Sequence, residues 1–168
     1  MSKRSIGLVV FLVASLLLVA CARDSEGTGE VAVRIEPATM RADAGDQIVV
    51  AVRVDPEGRG LSGGELNLAF DPQVLSVVDI EPGDLFGPEP LVGAEMVDND
   101  SGTLLYALAR KGQTSPPTPP SVFAEITFKV AEDARRGRYE LTVTSAGLAD
   151  EAFRDILDIS LGSATVRV

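Results

Sequence analysis

The side chains able to do chemistry are few in kind, and the missing types decide as much as the present ones. There is no His in 168 residues, so no imidazole base, no Ser-His-Asp triad and no imidazole-ligated zinc can be assembled. A single Cys, Cys21, has no partner for an intrachain disulfide or a CxxC redox or metal pair. Carboxylates are plentiful, 25 Asp plus Glu against 15 Lys plus Arg. Paired acids of the glycosidase kind are therefore a hydrolytic arrangement that composition leaves open, yet no acid pair sits in a recognisable motif, and no enzyme is expected. Asp98-Asn99-Asp100-Ser101-Gly102 superficially resembles a calcium loop, but an EF-hand needs an acid or amide at Gly102, Gly at Thr103 and Glu at Ala109. All three fail, so the segment reads as a hairpin loop, and no metal or other cofactor is expected. Asn99-Asp100-Ser101 also fits the N-glycosylation sequon.

The acidic balance, net −10, argues against a nucleic-acid partner, which needs clustered Lys and Arg to displace counterions. Trp is absent and only Tyr106 and Tyr139 supply tyrosine rings, a thin basis for stacking against sugars. Arg135-Arg136-Gly137-Arg138 is a local basic knot that reads as solvated turn charge, and Ser115-Pro116-Pro117-Thr118-Pro119-Pro120 as a stiff loop or a polyproline docking segment.

The first residues are a targeting segment. Lys3 and Arg4 precede fifteen uncharged residues, Ile6 to Ala20, shorter than the ~20 needed for a membrane span and of signal-peptide length. The run ends in Leu18-Val19-Ala20-Cys21, which resembles the lipobox of bacterial lipoproteins, where the Cys thiol accepts a diacylglycerol. Residues 1–20 are accordingly expected to be a lipoprotein signal peptide, and Cys21 the lipidated residue. More than one acyl chain on Cys21 would anchor the protein stably. Residue 22 is Ala rather than Asp, which resembles lipoproteins sent on to the outer membrane of Gram-negative cells. The expected location is the cell envelope. Residues 21–30 are small and polar, a flexible tether.

From Val31 to Val168 the chain shows recurring period-2 patterns between turn signals. Val31, Val33 and Ile35 alternate before Pro37. After Gly45-Asp46, the side chains of Ile48, Val50, Val52 and Val54 share a face. Leu66, Leu68 and Phe70 point one way, with Glu65, Asn67 and Ala69 the other, before Asp71-Pro72. Further strands are expected over Val74–Ile80, Leu91–Val97, Thr103–Ala109, Val122–Val130, Tyr139–Val143 and Ser163–Val168, with Val122, Ala124, Ile126, Phe128 and Val130 on one face. Ala131 to Arg136 could add a helical turn before Gly137. About nine strands with little helical periodicity predict an all-β sandwich or jelly roll, and a domain of ~138 residues can bury a core without disulfides.

The order of four blocks is specific. Gly45-Asp46-Gln47-Ile48-Val49-Val50-Ala51-Val52 is followed by Leu61-Ser62-Gly63-Gly64-Glu65-Leu66-Asn67-Leu68-Ala69-Phe70-Asp71-Pro72-Gln73-Val74-Leu75. Then come Val77-Val78-Asp79-Ile80-Glu81-Pro82-Gly83-Asp84-Leu85 and Phe123-Ala124-Glu125-Ile126-Thr127-Phe128-Lys129-Val130. This succession resembles the cohesin domain, the module with which cellulosomal scaffoldins hold dockerin-bearing enzymes, and the likeness covers residues 31–168. It implies a nine-stranded jelly-roll sandwich, no catalytic activity, and a dockerin partner that carries its own calcium. It also implies binding through one flat sheet face, made here by Gly63–Phe70, Leu91–Val97, Thr103–Ala109 and Tyr139–Ser145. Where the best-known cohesins carry an Asn and an Asp two residues apart, this chain has Gly63 and Glu65. Glu65 keeps the carboxylate, and Gly63 has no amide.

The expected binding residues are Gly63, Glu65, Asn67 and Ala69, with Leu105 and Ala107 from the strand Thr103–Ala109. That strand is apolar on both faces, so either it is central and covered or its outer side is an adhesive strip rimmed by Arg110 and Lys111. For Glu65 and Asn67 the bland alternative is the solvated face of an antiparallel sheet. The functional reading is a lipid-anchored module tethering a dockerin-like or other secreted protein at the envelope, linked to polysaccharide breakdown. The alternative is a β-sandwich that binds polysaccharide directly.

Overall fold

The chain is described here by a computed structural model, which covers residues 29–112 and 115–168. The targeting segment, Cys21 and most of the tether lie outside the described residues. Twelve strands are found among those described: β1 (Val31–Glu36), β2 (Thr39–Arg41), β3 (Gln47–Asp55), β4 (Leu61–Ala69), β5 (Leu75–Pro82), β6 (Leu91–Asp98), β7 (Thr103–Ala109), β8 (Ser121–Val130), β9 (Arg138–Asp150), β10 (Asp155–Ile156), β11 (Ile159–Leu161) and β12 (Ser163–Arg167). They form two sheets. One runs β11-β1-β3-β8-β5, the other β2-β12-β9-β4-β7-β6 with β10 paired to β9. Each of the nine expected runs is a strand, and the short β2, β10 and β11 are additions.

The alternation explains the layering. Val50, Val52 and Val54 of β3, Leu66 and Leu68 of β4, Leu104, Tyr106 and Leu108 of β7, and Leu141 and Val143 of β9 are all buried between the sheets. Each such aliphatic side chain stabilises the fold by about 1.5–3 kcal/mol relative to exposure. Phe70 follows β4 directly and meets Phe128 edge to face, ring centroids 5.3 Å apart. The Asp71-Pro72 turn acts as its residue types predict. Backbone N–H groups of Val74 and Leu75 donate to the Asp71 carbonyl, and β5 begins at Leu75.

Two local expectations are corrected. Strict alternation puts Val122 on one face of β8 with Ala124, but the β3–β8 register slips between Val52 and Arg53, pairing them with Ala124 and Val122. Phe123 is the extra residue of that bulge. It is fully buried, edge-on to Phe86 at 5.9 Å and to Tyr106 at 6.2 Å. A bulge places two successive side chains against one partner and so breaks strict alternation. Residues 131–136 form a turn rather than a helix, closed by the Ala134 N–H on the Ala131 carbonyl at 3.1 Å.

Candidate functional site

β4 lies between β7 and β9, and its registers set out rows across the sheet. Gly63 stands between Ala109 and Ala149, Glu65 between Ala107 and Gly147, Asn67 between Leu105 and Ser145, and Ala69 between Thr103 and Thr142. Because Leu66 and Leu68 are buried, these rows point away from the core. Gly63, Glu65, Asn67, Ala69, Leu105 and Ala107 therefore share one continuous outer face. On β6, Leu91 pairs with Ala109, Ala94 with Ala107 and Met96 with Leu105, which carries the face to the sheet edge.

The face is flat because its side chains are small. Gly63, Ala94, Ala107, Ala109, Gly147 and Ala149 lie in the row of Glu65 and the row next to it. A Cβ at Gly63 would lie 3.1 Å from the Leu108 carbonyl oxygen and 3.3 Å from the Ala109 methyl. A side chain here would need its neighbours to give by a few tenths of an ångström. Glu65 is exposed and accepts a long hydrogen bond from the Asn67 amide at 3.4 Å, so most of its acceptor capacity faces outward. The outer face of β7 is half-buried rather than covered among the described residues, in favour of the adhesive-strip alternative.

Sequence reasoning missed three contributions. Leu91 and Met96 are 52% and 65% exposed, large apolar groups beside the small ones. They escaped notice because Val92 and Val97, which pair with buried Leu108 and Leu104, are also exposed on the other side of this edge strand. With both faces open, no alternation marks which is the binding side. The other two are bulges bracketing the central rows. Ser62 is an extra residue on β4, its hydroxyl donating to the Asp150 carbonyl at 2.6 Å, and Thr144 is an extra residue on β9, donating to the Asn67 carbonyl at 3.1 Å.

The other candidates lie away from this face or serve it structurally. In the β6–β7 loop, Asp98 accepts the backbone N–H groups of Asp100 and Ser101, each at 3.0 Å. The Ser101 backbone bond is the main reason its carboxyl titrates below the usual range, with lesser help from the Ser101 side chain and Asp100. No group of three or more Asp, Glu or Cys able to hold a metal is present among the described residues. Tyr106 is buried, and burial first, then the Glu95 carboxylate, pushes its phenol pKa up. The Tyr139 hydroxyl donates to the Arg135 carbonyl at 2.8 Å. Neither ring presents a sugar platform. Beside the face, Lys111 pairs with Glu89 at 3.3 Å.

The family model described as the cohesin domain matches residues 32–166. The chain belongs to the cohesin domain family. Among curated relatives, it is 31% identical over 120 residues to Cellulosomal-scaffolding protein A of Acetivibrio thermocellus, covering 63% of this chain and 6% of that protein. It is 28% identical over 130 residues to Cellulosomal-scaffolding protein B of the same organism, covering 69% of this chain and 16% of that protein. This cohesin thus spans a small fraction of either relative. Among solved structures, the third ScaC cohesin of Acetivibrio cellulolyticus, in complex with the ScaB dockerin, superposes with a TM-score of 0.70 at 20% identity, covering 82% of this chain and 98% of that one. The seventh ScaB type I cohesin of Pseudobacteroides cellulosolvens superposes with a TM-score of 0.65 at 21% identity, covering 83% and 93%. At these identities the structural likeness establishes the all-β sandwich fold.

Proposed function

We propose that this cohesin is a dockerin-binding module that docks its partner on the outer face of β9, β4, β7 and β6. The observation that carries the reading is the assembly of small residues around Glu65 into one flat, outward surface. It is supported by family membership and by the dockerin bound to the related ScaC cohesin. A helix laid across the small-residue rows would place backbone or side-chain donors against the Glu65 carboxylate, while Leu105, Met96 and Leu91 supply the apolar contact that anchors a protein interface. The partner would bring its own calcium. We further propose that Cys21 is lipidated and holds the module at the cell envelope, in a Gram-negative cell at the outer membrane, where it would tether enzymes of polysaccharide breakdown.

The test is capture of calcium-loaded dockerins by the wild type and by Glu65→Arg, with chelator as control. The substitution sets a cation where the partner meets an anion. Capture should weaken at least tenfold, ~1.4 kcal/mol, with the thermal midpoint unchanged because Glu65 is exposed. Capture at full strength by Glu65→Arg would remove this face from consideration.

A further inference from the structure

A second feature occupies the far corner of the same sheet. Arg167 of β12 pairs with Arg41 of β2 on one side and with Arg138 of β9 on the other. Met40, Val166 and Tyr139, which alternate with them, pack into the core, so the three guanidinium groups leave from the outer face in one row. Arg135 and Arg136 stand exposed in the adjoining turn. Like charges directly opposed across strands repel, and a chain of net charge −10 has acids to spare for neutralising them. It does not use them here. Glu140 lies in the next row beside Thr165, and Asp43 and Asp133 lie in nearby turns, yet Arg41, Arg138 and Arg167 make no ion pair among the described residues. The Nε of Arg167 is withdrawn from solvent and has no hydrogen-bond partner, an unmet charged donor of the kind that folded proteins rarely leave.

We propose that Arg41, Arg138 and Arg167 form a binding site for a tetrahedral oxyanion of the phosphate class. Adjacent strands lie ~5 Å apart, so side chains as long as arginine can converge on one anion from three neighbouring positions. A guanidinium presents a planar fork of donors. Three forks converge from three directions, which suits the tetrahedral spread of oxygens on a phosphate better than the two coplanar oxygens of a carboxylate. Thr39 and Thr165 occupy the next row on the same face and add hydroxyl donors. Glu140, in that row too, repels negative charge extending toward β4, which restricts the site to a compact group rather than a track for a polyanion. The phosphate is either carried on a lipid headgroup or free in solution, and the two sources are separable.

The experiment titrates inorganic phosphate into the full-length protein at constant ionic strength balanced with chloride, followed by calorimetry and thermal midpoint, for the wild type, Arg41→Gln/Arg138→Gln and Arg138→Lys. Arg41 and Arg138 are exposed, so the double variant should fold. Arg138→Lys keeps the charge and loses only the fork, and gives an independent reading. The wild type should bind phosphate saturably, the double variant at least tenfold more weakly, and Arg138→Lys in between. A parallel arm compares sedimentation of each protein with vesicles of phosphatidylglycerol and of phosphatidylcholine. A variant-dependent loss confined to phosphatidylglycerol assigns a headgroup, whereas a loss seen with inorganic phosphate alone assigns a free anion. Equal stabilisation of wild type and double variant by phosphate, as general salt exclusion produces, together with no variant effect on vesicles, would overturn the proposal.

Discussion

Asn99 is the most informative single residue to perturb, because its side chain does the work of a strand. It sits in the β6–β7 loop of one sheet and reaches the other. The Val77 N–H donates to its Oδ1 at 2.8 Å, and its Nδ2 donates to the Val77 carbonyl at 3.0 Å. Among the described residues β5 is an edge strand paired only with β8, and their register slips between Val77 and Asp79. Asn99 thus satisfies backbone groups at the irregular point of an open edge and ties the two sheets together. Asn99→Ala removes two hydrogen bonds, each worth about 0.5–1.5 kcal/mol net, and leaves the donor and acceptor of a buried residue unpartnered, so we expect a loss of about 2–3 kcal/mol. At about 2–4 °C per kcal/mol for a domain near this size, the midpoint should fall by about 4–12 °C. Asn99→Asp keeps the acceptor but sets a carboxylate beside the Val77 carbonyl. Its folded-state pKa should be raised, so its deficit against wild type should be full at neutral pH and shrink as pH falls to about 4, where the acid regains an O–H donor. Urea denaturation with a constant slope is the assay. A loss under about 0.5 kcal/mol for Asn99→Ala, the size expected of an ordinary surface change, would refute the tie.

Three further outcomes are expected. Phe70→Ala should cost about 3–5 kcal/mol in a denaturation experiment, since the ring is buried against Phe128; a midpoint within error of wild type would invert the assignment of faces on β4. The Asp150 carboxyl is held below the usual carboxylate range, chiefly by the Arg154 backbone N–H and then by the Arg154 side chain. Its contribution is therefore present above pH ~3.9 and lost as pH falls through the lower folded value, so the drop in melting midpoint from pH 6 to pH 3 should be smaller for Asp150→Asn than for wild type, and identical drops would count against it. Cys21→Ser should abolish both palmitate labelling and membrane fractionation, because a hydroxyl does not accept the thioether-linked lipid; persistence of either would end the lipobox reading.

The sandwich was legible in the chain because its cause is local. Alternation along Val50-Val52-Val54 or Leu66-Leu68-Phe70 states which side of each strand is apolar, and one apolar side must be buried. The same alternation, read outward, puts Glu65, Asn67 and Ala69 on one face of β4 and groups Leu105 with Ala107 on β7 without saying which side of β7 is outward, and the resemblance to cohesins adds Gly63. What alternation could not state is which strand lies beside which, and in what register. That step brought Glu65 between Ala107 and Gly147, set Met96 against Leu105 at an edge with no polar side, and turned Phe123 inward at a bulge. It also made a tertiary tie of Asn99, whose sequence context speaks only of a turn, and a row of Arg41, Arg167 and Arg138, residues far apart in the chain. Periodicity is a property of neighbours in sequence. Register is decided by the packing of the whole core, and the surface chemistry of this protein is written in the register.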